Sequence, residues 1–167
     1  AAGATTAICV DIEENRLEHA RRLGATHAVN DRDGQALAKI REITSELSGF
    51  PTDHSGVDVA FETAGALPTT RNALSATRPG GVAVLVGLPP ESMVEIDLVA
   101  AASKEIDIRG QFRYANRYPR ALALTSSGRI DVASLVTHRF PLEETAEALQ
   151  FADEQKSQAL KVVVEVA

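Results

Sequence analysis

Short apolar runs alternate with amphipathic stretches along most of the chain. "TAICVD" has the composition of a buried strand, and residues 13–23 place Leu17, Ala20 and Leu23 on one helical face, with Gly24 as the stop. "THAVN" is a second short strand, and "DGQALAKIREITSEL" a second helix facing inward through Leu37, Ile40, Ile43 and Leu47. After the loop "GFPTDHSG", "VDVAFETAG" is a third strand followed by a helix over about 67–77. "RPGG" is a turn, "VAVLVG" a fully apolar strand, "DLVAAAS" a short helix and "EIDIRGQF" a further strand. Met93 to Asp97 is a second β-rich piece on the other side of that short helix. Alternation of this kind, with strands apolar along their length, predicts a parallel α/β sheet covered on both faces.

Near residue 116 the texture changes. "RYPRALALTSSGRID" reads as a helix closed by Gly128, "LVTHRFPLEETAEALQFADE" as loop, strand and helix, and "ALKVVVEV" as a last strand. The change marks a passage from one domain, 1–115, to a second segment, 116–167. With 167 residues the chain is long enough for a sizeable core. A hydrophobic fraction of 44% and a net charge of -6 argue against nucleic-acid or anionic-membrane partners. No apolar run is long enough to span a bilayer, and no secretory leader is visible. The single cysteine, Cys9, makes neither a disulfide nor a zinc site alone, which fits a cytoplasmic setting.

Asp11 follows the first strand directly and precedes a helix. An acid in that place can accept hydrogen bonds from both ribose hydroxyls of an adenosine, and its charge would repel a 2′-phosphate, favouring NAD over NADP. Arg16 could cover the adenine face by stacking. Equally, Asp11 could simply cap the following helix. An acid of the first kind normally lies about 20 residues beyond a glycine-rich phosphate loop, and only ten residues with one glycine precede it here. Thr63-Ala64-Gly65 and Val86-Gly87-Leu88 end two more strands, where open parallel sheets bind ligands. Small residues there would let a flat cofactor approach the backbone, or would serve as ordinary turns. Phe112, Arg113 and Tyr114 follow a further strand end. Arg113 and Tyr114 could donate to a polyhydroxylated substrate, or Arg113 could be a surface ion-pair partner. His19, His27, His54 and His138 show no metal-ligand spacing and read as structural. There is no Gly-x-Ser-x-Gly elbow.

Taken in order, "VDIEENRLEHARRLGATHAV", "VDVAFETAGA", "RPGGVAVLVGLP" and "EIDIRGQFRYANRYPRAL" resemble the zinc-dependent medium-chain dehydrogenases. The sorbitol and xylitol dehydrogenase branch is the most similar, chiefly through "FRYANRYP" and "VTHRFPLEE". The resemblance covers essentially the whole chain. It implies a Rossmann-like, doubly wound parallel sheet lacking its first βα unit, with 116–167 returning to complete a catalytic domain. Asp11 and Arg16 match the NAD-ribose acid and its basic neighbour. Thr63, Ala64, Gly65, Val86, Gly87 and Leu88 match strand ends along the cofactor. Phe112, Arg113 and Tyr114 match the segment nearest nicotinamide and substrate.

In the resembling family the glycine loop and the catalytic zinc ligands precede a stretch like "AAGATTAICVD". The chain is therefore expected to be part of a longer enzyme, with no metal ligand and no catalytic residue of its own. NAD and zinc are the implied cofactors and a polyol the implied substrate. A homodimer or homotetramer is implied as well, joined through the last strand of the cofactor sheet, Ile106 to Gly110. Other readings are a simple-alcohol or threonine-type dehydrogenase, or a non-catalytic nucleotide-binding or assembly module.

Overall fold

The computed structural model describes residues 2–49, 51, 55–91 and 93–166. They divide into two compact units, one formed by Ala1–Asp31 with Asn116–Ala167 and the other by Arg32–Ala115. Every strand pairing is parallel.

In the first unit β1 (Ile8–Asp11) pairs with β2 (His27–Asn30), in register from Ile8 opposite His27 to Asp11 opposite Asn30. The crossover is α1 (Glu14–Arg22), which packs Leu17 against both strands and buries it completely. Gly24 ends that turn at φ +101°, a conformation open to glycine. The later part of the unit holds α5 (Tyr118–Ser126), then β6 (Val136–Pro141) beside β7 (Lys161–Glu165), bridged by α6 (Thr145–Glu154). Gly128 follows α5 at φ +69°, and its amide returns to the Thr125 carbonyl at 3.0 Å, as the sequence expects.

In the second unit the strand order is β3 (Val57–Glu62), β4 (Thr77–Leu85), β5 (Asp107–Gly110). Three helices belong to it: α2 (Ala36–Ser48), α3 (Leu67–Ala76) and α4 (Leu98–Ser103). α2 buries Ala36, Ile40 and Thr44, one helical repeat apart, against α3. Leu47, placed on this face by its spacing, is instead exposed at the last turn. Leu23 is exposed as well, because it lies past the end of α1 as its C-cap.

Three further expectations change. The "RPGG" turn is absorbed into β4. Val57 pairs with Thr77 but Val59 with Val82, so the extra residues 78–81 bulge out of the ladder without ending the strand. Met93 to Asp97 forms no strand: Met93 is 84% exposed, and Asp97 instead caps α4, its carboxylate accepting from the Ala100 amide at 2.9 Å. Finally, cover on both faces is incomplete. Val59 and Phe61 on β3 and every residue of β5 are exposed, and among the described residues β1 and β3 each have one strand neighbour. The two runs, β1-β2 and β3-β4-β5, agree with the 3-2 and 4-5-6 portions of the doubly wound order.

Candidate functional site: three strand ends

Asp11 closes β1 at its carboxyl end. Its Oδ1 accepts the Glu13 amide at 2.9 Å, an Asx-type turn that delivers the chain into α1. Oδ2 faces the Arg16 guanidinium at 3.7 Å. Arg16 lies one helical turn on, and its Nη2 donates to the Lys156 carbonyl at 3.2 Å. Its Nε is buried without a partner among the described residues. One Asp11 oxygen thus serves the turn into α1, whose N-cap is Glu13 rather than Asp11, and the other faces Arg16. Two residues earlier, burial and then the Asp11 charge push the Cys9 thiol above its ordinary range, which keeps it protonated and unreactive near neutral pH.

The ends of β3 and β4 are tied together by one residue that the sequence reading passed over. Glu62 is 3% exposed. Its Oε1 accepts from the amides of Ala64 at 2.9 Å and Gly65 at 2.8 Å and from the Thr69 hydroxyl at 2.7 Å, in competition with the Ala66 carbonyl, 2.8 Å from the same hydroxyl. Its carbonyl oxygen accepts the amides of Val86 at 2.8 Å and Gly87 at 2.9 Å. Gly65 adopts φ +69°, and a Cβ there would lie 2.6 Å from the Leu88 carbonyl oxygen. A Cβ on Gly87 would collide with Gly65 and with Glu62 Oε2. The two glycines therefore let the turns 63–65 and 86–88 touch backbone to backbone. The missing side chains face protein, and Thr63, Ala64, Val86 and Leu88 carry the exposed surface. The signal in the sequence was the acid in "FETAG", an ionisable residue that follows the apolar run Val59-Ala60-Phe61 at the end of the strand.

Beyond β5, the Gln111 amide reaches the Leu85 carbonyl at 2.9 Å and extends the pairing. Arg113 then takes a left-handed φ of +48°, uncommon for a side chain with a Cβ. Its guanidinium stands 5.0 Å from the centroid of the Phe112 ring, a cation–π distance. Phe112 and Tyr114 are more than half exposed.

The described histidines sit in structural surroundings. The His138 ring packs 4.4 Å from Phe151, and His27 Nδ1 lies 3.1 Å from the Thr26 hydroxyl. His19 Nε2 is buried without a hydrogen-bond partner among the described residues. His54 lies outside the described residues. Among the described residues no three His, Cys, Asp or Glu side chains gather as a metal site would require, and no helix is long and apolar enough to cross a membrane.

Parallel β-α units, with an acid ending a strand of one unit and two interlocked glycine turns and an Arg–aromatic pair ending strands of the other, define an α/β fold of the Rossmann-like, cofactor-domain class. The family description "zinc-binding dehydrogenase" matches residues 1–127, and the chain belongs to that family. It is 42% identical over 162 residues to a sorbitol dehydrogenase of Bacillus subtilis, covering 97% of this chain and 44% of that protein. It is 39% identical over 155 residues to a D-xylulose reductase of Morganella morganii, covering 92% of this chain and 43% of that protein. Among solved structures, an Escherichia coli oxidoreductase/dehydrogenase of unknown specificity superposes with a TM-score of 0.88 at 33% identity, over 99% of this chain and 45% of that one. An alcohol dehydrogenase from Thermus sp. ATN1 superposes with a TM-score of 0.86 at 29% identity, over 99% and 45%. The chain thus spans less than half the length of these relatives.

Proposed function

We propose that this chain supplies most of the cofactor domain of a zinc- and NAD-dependent dehydrogenase. The enzyme oxidises a sorbitol- or xylitol-like polyol to a ketose by hydride transfer. Residues 1–115 form that domain, and 116–167 return to the catalytic domain. The observation that carries the reading is the carboxylate of Asp11 at the end of β1. Oδ1 is committed once and Oδ2 only to a distant Arg16, so acceptor capacity remains for two ribose hydroxyls.

The residues fit the cofactor's chemistry. Asp11 accepts from the adenosine ribose and its charge excludes a 2′-phosphate, while Arg16, anchored at Lys156, holds that carboxylate in place. Thr63, Ala64 and Gly65, with Val86, Gly87 and Leu88, offer backbone at the strand ends along the cofactor. Bound there, NAD would accept the hydride. Phe112 and Arg113 border the nicotinamide, and Arg113 and Tyr114 donate to the hydroxyls of the polyol. Zinc is a different matter: the described side chains offer it no ligand set, so no step is drawn through it. Its ligands, on this reading, come from elsewhere in the parent enzyme. A cytoplasmic homodimer or homotetramer, joined along β5, completes the proposal.

The names of the relatives favour a polyol over a simple alcohol, since sorbitol dehydrogenases recur among them. The test is turnover by the full-length protein with zinc and NAD on sorbitol, xylitol, ethanol and threonine. Polyol oxidation is expected, together with no turnover by residues 1–167 alone. Preference for ethanol or threonine would replace the substrate, and turnover by the 167-residue chain would overturn the assignment of its role.

A further inference from the structure

We infer that Glu62 is a positioning residue for the cofactor, the single pivot that sets the backbone of both turns the cofactor lies along. This rests on the cofactor reading above and goes beyond it, since Glu62 itself belongs to neither turn. Five hydrogen bonds converge on it, all between 2.7 and 2.9 Å. Three end on the side-chain oxygen Oε1 and hold the 63–65 turn together with the first helical turn of α3 through Thr69. Two end on the main-chain oxygen and hold the 86–88 turn. Oε2 accepts no hydrogen bond among the described residues and lies against Gly87.

A buried acid at this place needs a reason, because burying a carboxylate is costly unless hydrogen bonds compensate it. Holding a single turn would need only a serine or an asparagine. A charged carboxylate oxygen accepts more strongly than a neutral hydroxyl or amide oxygen, and here three donors converge on one such oxygen. The outcome is that Thr63, Ala64, Val86 and Leu88 present their groups from a backbone with two linked turns and no slack. A shift of one turn moves the other, because Gly65 and Gly87 leave no gap between them. Interactions with a planar ligand depend on such pre-set geometry, and loosening it by a fraction of an ångström weakens binding without unfolding the domain.

The test is calorimetric titration of the full-length protein with NADH and, separately, with AMP, which reaches only the adenosine subsite assigned to Asp11. Each variant is studied below its own melting temperature. Glu62→Gln keeps the shape but removes the charge from all three side-chain bonds. It is expected to weaken NADH binding about ten-fold or more while AMP binding stays within about two-fold. Thr69→Val, which removes one of the three donors, is expected to weaken NADH about three-fold. A folded Glu62→Gln that binds NADH like wild type overturns the inference. So does an equal loss for NADH and AMP, which would mean general loosening. Should Glu62→Gln fail to fold, Thr69→Val decides, and unchanged NADH affinity in it overturns the inference. A wild-type protein that binds neither ligand overturns the cofactor reading itself, and this inference with it.

Discussion

Three glycines share a φ of +69° but not their surroundings: Gly34, Gly65 and Gly128. A Cβ added at Gly34 or Gly128 meets nothing within 4 Å, whereas at Gly65 it lies 2.6 Å from the Leu88 carbonyl oxygen and 2.9 Å from the Leu88 carbon and nitrogen. Alanine at any of the three incurs the left-handed penalty of about 1–2 kcal/mol, partly offset by about 0.4–1 kcal/mol from a stiffer unfolded chain. Gly34→Ala and Gly128→Ala should therefore cost about 1 kcal/mol each. At Gly65 the new methyl sits about 0.8 Å inside the 3.4 Å of ordinary contact, and the obstacle is backbone that cannot rotate away. Overpacking of this kind adds about 1–3 kcal/mol, so Gly65→Ala should cost about 2–4 kcal/mol. Urea unfolding of the three variants beside wild type measures the difference directly. If Gly65→Ala is no more destabilising than Gly34→Ala, the turns 63–65 and 86–88 do not interlock as described, and the account of the strand ends fails.

Arg113→Ala in the full-length protein should raise the polyol KM or lower kcat with the melting temperature little changed; a large stability loss with normal kinetics would make Arg113 a structural residue. Ile108→Pro removes one β5 backbone donor and should split the parent oligomer, as read by light scattering; a folded oligomer of unchanged mass would move the interface elsewhere. Lys104 donates to the carbonyls of Ser75 at 2.9 Å and Thr77 at 3.2 Å, and desolvation, then the Arg41 charge, depress its pKa in the folded chain. Below that depressed pKa the ammonium is charged in both states. Between it and the ordinary lysine value of about 10.4, the unfolded chain binds more proton, so stability gains with rising pH. Wild type should therefore gain on Lys104→Met as pH climbs toward 10 in denaturant titrations, and parallel curves would contradict the burial of Lys104.

The helices and strands that periodicity marked out are those whose side chains do the packing. Leu17 and Ile40 sit where a 3.6-residue repeat puts them, and both are buried. Ends were harder to read: Leu47 continues the repeat into the exposed last turn of α2, and Leu23 continues it onto the C-cap just past α1. The bulge in β4 was hidden because "RPGG" has the chemistry of a turn, and only the register with β3 shows the strand passing through it. Met93 to Asp97 has strand-like residues but finds no neighbouring strand, and pairing is a tertiary property. The strand-end positions of Asp11 and of the glycine turns were legible in the sequence, and the structure places them there. Glu62 was not, because its importance lies in five hydrogen bonds converging from residues up to 25 positions away. The role of Lys156, a carbonyl partner for Arg16 from 140 residues further along, leaves no local trace.

The most direct test of the central claim compares kcat/KM for NAD and NADP in the full-length protein and in its Asp11→Ser variant, with a polyol as substrate. On the proposed reading the carboxylate would make charge-assisted hydrogen bonds of about 1.5–3 kcal/mol to the ribose, so the variant should lose about 10- to 100-fold with NAD. With the negative charge gone, NADP should at the same time be rejected less strongly. An unchanged preference for NAD in a folded Asp11→Ser enzyme would contradict the assignment of the adenosine ribose to the end of β1.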